Sequence, residues 1–158
     1  MKGLVIAEQA HVVQLFAPVD VTGGITAQRF SMKNYQHASI LVQIGVSAAA
    51  PTAIVLKQCQ DSSGTGATAI PFSAYKQETA GASHDVLGAR TAVTSAGIAP
   101  SANDGIFYVI ELDANELADG YPWVELSITN GTNSVIASAS AILTGARYAE
   151  TQSPTVTA

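Results

Sequence analysis

The chain has 158 residues, of which 47% are hydrophobic and only 12% charged, and its formal net charge is −5. That is the length of one domain, able to bury roughly 68–70% of its unfolded surface without disulfides or metal, and too hydrophobic for its charge to stay disordered. The basic residues are scattered as Lys2, Arg29, Lys33, Lys57, Lys76, Arg90 and Arg147, so no patch exists to meet phosphates and nucleic acid is not an expected partner.

The opening apolar run, Gly3 to Ala7, is halted by Glu8 and is shorter than the ~7–15 residues of a secretory core. No run approaches the ~18 apolar residues of a membrane span. A soluble, cytoplasmically made protein is expected, with residues 1–10 as an N-terminal arm. Strands are predicted at Val12–Phe16 and Val19–Thr22, and again over Ile25–Met32 after the Gly23-Gly24 break. From 38 to 47 the chain alternates: Ala38, Ile40, Val42, Ile44 and Val46 share one face, and Ser39, Leu41, Gln43, Gly45 and Ser47 the other. This is the pattern of a half-buried strand.

Pro51 separates that strand from a β-branched run, Thr52–Gln60. It contains Cys59, the single cysteine, which reads as a buried thiol in a reducing compartment. Asp61–Gly66 is a turn by composition, and Thr68–Tyr75 is the strand expected to return antiparallel across it. After the loop Gly81–Asp85 a short strand is predicted near Arg90–Thr94. Ile106–Leu112 carries bulk on both faces and belongs at the centre of a sheet. Asp113 followed by Glu116 has capping-box spacing and Gly120 can end a helical turn. Trp123–Thr129 places Val124, Leu126 and Ile128 inward. Asn130-Gly131 then predicts a hairpin turn into Val135–Thr144, whose one face is Val135, Ala137, Ala139, Ala141 and Leu143. Such small side chains point to close approach of a second sheet or of another subunit. The tail 149–158 is expected to be extended. The fold class is therefore all-β, an antiparallel sandwich or jelly roll over residues 11–148, with one short helical turn near 113–119.

Chemistry is harder to find. His11, His37 and His84 are far apart and show no metal-ligand spacing. The series Asp113, Asn115, Leu117 breaks the alternation that a calcium loop requires. Ser62–Gly66 lacks the Gly-Lys-Ser/Thr ending of a phosphate loop, and no Gly-x-Ser-x-Gly elbow occurs. The acids nominate no catalytic pair. Asn130-Gly131-Thr132 has the form of a glycosylation acceptor but is better explained as a turn. Tyr121-Pro122-Trp123 is a candidate surface platform for a sugar or a partner. The residues thus point away from an enzyme, with no catalytic, cofactor or metal residue nominated and no cofactor expected.

One likeness can be placed on particular residues: Asn103–Ala114, then Leu117–Pro122, then Ala141–Tyr148. These segments resemble small structural proteins of tailed bacteriophages, of the kind assigned as head decoration or cement proteins. The resemblance implies a β-rich virion component made in the host bacterial cytoplasm, commonly trimeric, whose partners are its own copies and the major capsid protein on the capsid surface. The expected interface residues are Val135, Ala137, Ala139 and Ala141 together with Tyr121 and Trp123, and the two terminal arms are expected to reach a neighbour. A tail or head–tail connector protein, and a carbohydrate-binding sandwich using Tyr121 and Trp123, are the alternatives.

Overall fold

The computed structural model describes residues 3, 5–78, 85–101, 104–147 and 155–156. Two antiparallel sheets pack face to face, as the alternating sequence predicts. The strands are β1 (His11–Asp20), β2 (Ile25–Thr26), β3 (Phe30–Ser31), β4 (Tyr35–Ser47), β5 (Ala53–Cys59), β6 (Thr68–Ala69), β7 (Phe72–Glu78), β8 (Thr91–Val93), β9 (Ile106–Asp113), β10 (Trp123–Thr129) and β11 (Val135–Ala146). The larger sheet runs β1-β11-β4-β9-β7-β8, and the smaller runs β2-β10-β5-β6 with β3 also on β10.

Period two decides which side chains face the core. Ala38, Ile40, Val42 and Ile44 of β4 are fully buried, as are Ile106, Ile110 and Leu112 of β9, while Val124, Leu126 and Ile128 oppose them from the smaller sheet. β9 lies between β4 and β7, the central position its two-sided bulk requires. Val46 breaks the expected pattern and is 71% exposed. Ser47 pairs with Val135 but Ile44 pairs with Ala137, so β4 carries an extra residue there. That bulge reverses the alternation beyond Ile44.

The alanine face of β11 corrects the expectation of an intersubunit contact. Val135, Ala137, Ala139, Ala141 and Leu143 are each no more than 2% exposed and lie inside the core cluster. The second sheet of the same chain covers them, so they are unavailable to a neighbour.

Three further expectations are revised. Thr68–Tyr75 is not one strand: Pro71 removes a ladder donor, and β6 stays with β5 in the small sheet while β7 crosses to β9 in the large one. Asn130-Gly131 is not a hairpin turn, because β10 and β11 belong to different sheets. The Asn130 amide donates to the Val21 carbonyl at 3.2 Å and to that of Asn133 at 2.9 Å, fixing a corner that carries the chain across the sandwich. The helical turn near 113–119 shrinks to one 3₁₀ turn, Ala114–Glu116, with Glu116 accepting from the Asp113 backbone N–H at 2.8 Å.

The ends also differ from extended arms where they are described. Ile6–Gln9 forms a single helical turn. Thr155 is buried against the chain's own strands, its carbonyl accepting from the Ser31 N–H at 3.0 Å and its hydroxyl 3.2 Å from His11 Nε2. Most of the tail, including residues 149–154, lies outside the described residues.

Two contacts fix the connecting loops. Ile54 and Ile98 exchange backbone hydrogen bonds of 2.8 and 2.9 Å, bringing the 94–98 loop onto β5. Gly97, at φ +85°, permits this approach, since a Cβ would strike the Ile54 carbonyl. Where β1 ends beside β11 the Asp20 carboxylate accepts from Ser134 Oγ at 2.6 Å and from the Thr22 hydroxyl at 2.8 Å. These bonds hold its pKa down to about 2.

Placing Ala139 in the core makes a specific demand. Ala139→Leu is expected to lower stability by about 1–3 kcal/mol through overpacking, measured by urea denaturation. Unchanged stability with altered self-association would return the alanine face to the surface.

Candidate functional site

The outer faces of the two sheets are unlike. On the smaller sheet Arg29 ties the Asp61–Gly66 turn to Glu125, an outward residue of β10. Glu125 is only 2% exposed, with one oxygen paired to Arg29 and the other accepting from Lys57 Nζ at 3.1 Å. The Arg29 guanidinium lies against Gly64 and donates to the Ser62 carbonyl at 3.4 Å. A carboxylate removed from water in this way is tolerable only because two cations satisfy it. Cys59 is fully buried alongside, and burial, with Glu125 nearby, pushes its thiol pKa up. It is therefore a packed thiol, poor in the thiolate that nucleophilic chemistry requires.

The larger sheet turns an open face outward. Cross-strand register sets its rows. Gln14, Ser140, Leu41, Val109 and Tyr75 form one, and Val12, Ile142, Ser39, Glu111 and Ser73 the next. A third runs Ser138, Gln43, Phe107 and Gln77. Leu41, Phe107 and Tyr75 remain partly exposed, and Val12 is 52% exposed. Across these rows only Glu111 is charged. Hydroxyls, amides and hydrocarbon shed water at far lower cost than ionised groups, so this face is suited to packing against another protein surface.

Its ionic groups gather at one corner. His37 lies opposite Asp113 across β4 and β9, and Glu111 lies opposite Ser39. The imidazole bridges both acids, with Nδ1 2.7 Å from Asp113 Oδ1 and Nε2 2.7 Å from Glu111 Oε2. Ser39 donates to that same Glu111 oxygen at 2.7 Å and stands 3.4 Å from Nε2. Asp113, His37 and Ser39 thus follow the order of a hydrolytic triad. Glu111 defeats that use, because it takes both the Nε2 proton and the serine proton, leaving the imidazole no lone pair for the hydroxyl. Beside the corner an open hollow of about 540 Å³ is lined by Gln36, Asp113, Ala114, Asn115 and Arg147.

A second hollow of about 540 Å³ opens at the β7–β8 end, lined in part by Ala74, Lys76, Val93, Ile98, Ser101 and Tyr108. Lys76 and Ser101 both donate to Glu78, at 2.8 and 2.9 Å. Burial, followed by the charge of Glu78, pushes the Tyr108 pKa up to about 12. The two aromatics of the expected platform sit in different settings. Tyr121 lines a hollow of about 350 Å³ with Lys33, Leu117 and Arg147, while Trp123 is not among its walls. Trp123 instead sits partly buried at the start of β10, paired with Cys59 and Ser31. Among the described residues no group of three or more His, Cys, Asp or Glu side chains is arranged to hold a metal ion. Of the three histidines, His11 stacks on Tyr35 with centroids 5.6 Å apart, and His84 lies outside the described residues.

The outer face of β4, with Leu41 between Ser39 and Gln43, is legible in the sequence, but its continuation through Phe107 and Ser140 is not, because that depends on which strands pair. The signal lies in composition: the same parity places Ser39 and Gln43 beside Leu41, which no core requires.

The Glu125 cluster can be tested directly. Replacing both Arg29 and Lys57 by Met leaves a buried carboxylate without a cation, and a loss of about 3–5 kcal/mol in urea denaturation is expected. Glu125→Gln in that background is expected to restore part of the loss.

No protein-family model matches the chain, and no curated protein matches it in sequence. No helix among the described residues is long and apolar enough to cross a membrane. Among solved structures the chain is similar to the SPBc2 prophage-derived protein YomS, at 14% identity and a TM-score of 0.45, over 85% of this chain and 93% of that one.

Proposed function

We propose that this chain is a structural protein of a bacteriophage particle that binds the capsid exterior as a decoration or cement protein and stabilises the head. The open, nearly uncharged face of the six-stranded sheet carries the reading. It joins hydrogen-bonding groups to partly exposed hydrocarbon, the composition of a surface that exchanges water for another protein. The phage-like segments noted in the sequence contribute to it: β9 supplies Phe107 and Glu111, and β11 supplies Ile142. In this reading the chain is no enzyme and needs no cofactor. It associates as a trimer around a symmetry axis of the shell, with the major capsid protein as its partner and the outer surface of the virion as its location.

The test is sedimentation of purified protein with expanded capsids built from the major capsid protein of the same genome, followed by electron microscopy. Saturable binding on the outer surface is expected, with light scattering giving the mass of a trimer. Leu41→Glu and Ser140→Glu place charge in the middle of the open face, and each is expected to weaken capsid binding about tenfold or more without a change in melting temperature. A strict monomer with no capsid affinity would overturn the proposal, and density on tail tubes or at the portal vertex would assign the chain to the tail or connector.

A further inference from the structure

The corner of the open face holds a device that does not depend on what docks there. A neutral imidazole has one N–H and one lone pair. His37 has a carboxylate oxygen 2.7 Å from each ring nitrogen, and both contacts can be hydrogen bonds only if each nitrogen carries a proton. The alternative, a protonated Glu111 donating to Nε2, is disfavoured because Glu111 Oε2 already accepts from Ser39 Oγ. The arrangement therefore belongs to the imidazolium.

We propose that His37 is a proton-controlled clamp: protonated, it ties Glu111 and Asp113 together across β4 and β9, and on losing its proton it releases Asp113 toward the neighbouring hollow.

The released partner follows from burial. The Glu111 side chain is 28% exposed and keeps its bond from Ser39, whereas that of Asp113 is 61% exposed. The neutral ring retains the Nε2 proton on Glu111, and its Nδ1 lone pair then repels Asp113. Around the ring β9 supplies Glu111 and Asp113, and β11 supplies Thr144 directly opposite His37. The 3₁₀ turn supplies Glu116, whose carboxylate is bound to the Asp113 backbone N–H. Arg147 lines the hollow that Asp113 also lines, the cation among its lining residues that can receive the freed carboxylate. Formal charge on the triad of His37, Glu111 and Asp113 falls from −1 to −2 when the clamp opens.

The imidazole pKa responds accordingly. Burial opposes protonation, but the hydrogen bonds to Asp113 and Glu111 and their charges outweigh it, and the pKa is raised above the ordinary 6.5. The clamp's contribution to stability is thus complete below 6.5 and is lost as pH rises through the raised value.

Side-chain ¹⁵N NMR across pH on the whole protein tests this, with His37 assigned by comparison with His37→Asn. Below the midpoint both ring nitrogens are expected to be protonated, and the midpoint is expected above 6.5. Glu111→Gln and Asp113→Asn, near-isosteric and not expected to unfold the strand, should each lower the midpoint by about one unit, a tenfold loss of proton affinity. Above the midpoint the Nε2–H tautomer is expected. A wild-type midpoint at or below 6.5, a midpoint unmoved by either substitution, or an Nδ1–H tautomer would overturn the clamp. Capsid binding plays no part in this readout, so failure here leaves the proposed function standing, and the converse holds.

Discussion

Everything in this molecule depends on two sheets burying one face each against the other. A strand's side chains alternate sides, so a sheet that hides one face must show the other. The inner faces close through branched aliphatics on β4, β5, β9 and β10 and through alanines on β11. With β11 lying between β1 and β4, a larger residue at Ala137, Ala139 or Ala141 would force the sheets apart where the strands are longest. The small side chains set the separation of the layers.

That arrangement leaves two outer faces, and the chain treats them oppositely. The smaller sheet pins the Asp61–Gly66 turn over part of its outer face, through Arg29 to Glu125. The buried carboxylate holds strands and loop in one register, since Arg29, β5 and β10 all meet on it. The larger sheet leaves its outer face open, with serine and glutamine beside leucine and phenylalanine and charge confined to one corner. A monomer in water gains nothing from exposing such hydrocarbon, whereas a protein that spends its life against another surface does.

The corner gathers into a single arrangement the groups that a search for chemistry would single out. Aspartate, histidine and serine stand in catalytic order, yet Glu111 removes the lone pair on which catalysis would rely. The same carboxylate makes the imidazole a bridge between acids, so the geometry serves charge and not nucleophilic attack.

The sequence by itself determined the class of fold, most strand positions, the central place of β9, the inward set of β10 and that of β4 as far as Ile44, because all of these follow from local alternation, turn composition and capping. It also showed the low charge from which a contact surface is argued. Only tertiary structure decided which sheet each strand joined. Pro71 lies inside a run that looks like one strand, and the Asn130–Ser134 corner lies between runs that look like hairpin arms; in neither case can local pattern distinguish staying in one sheet from a step to the other. For the same reason the alanines of β11 were legible as close-packed but not as packed within the chain. His37, Glu111 and Ser39 lie up to 74 positions apart in the chain, so their meeting depended on the pairing of β4 with β9, a long-range register that periodicity does not contain.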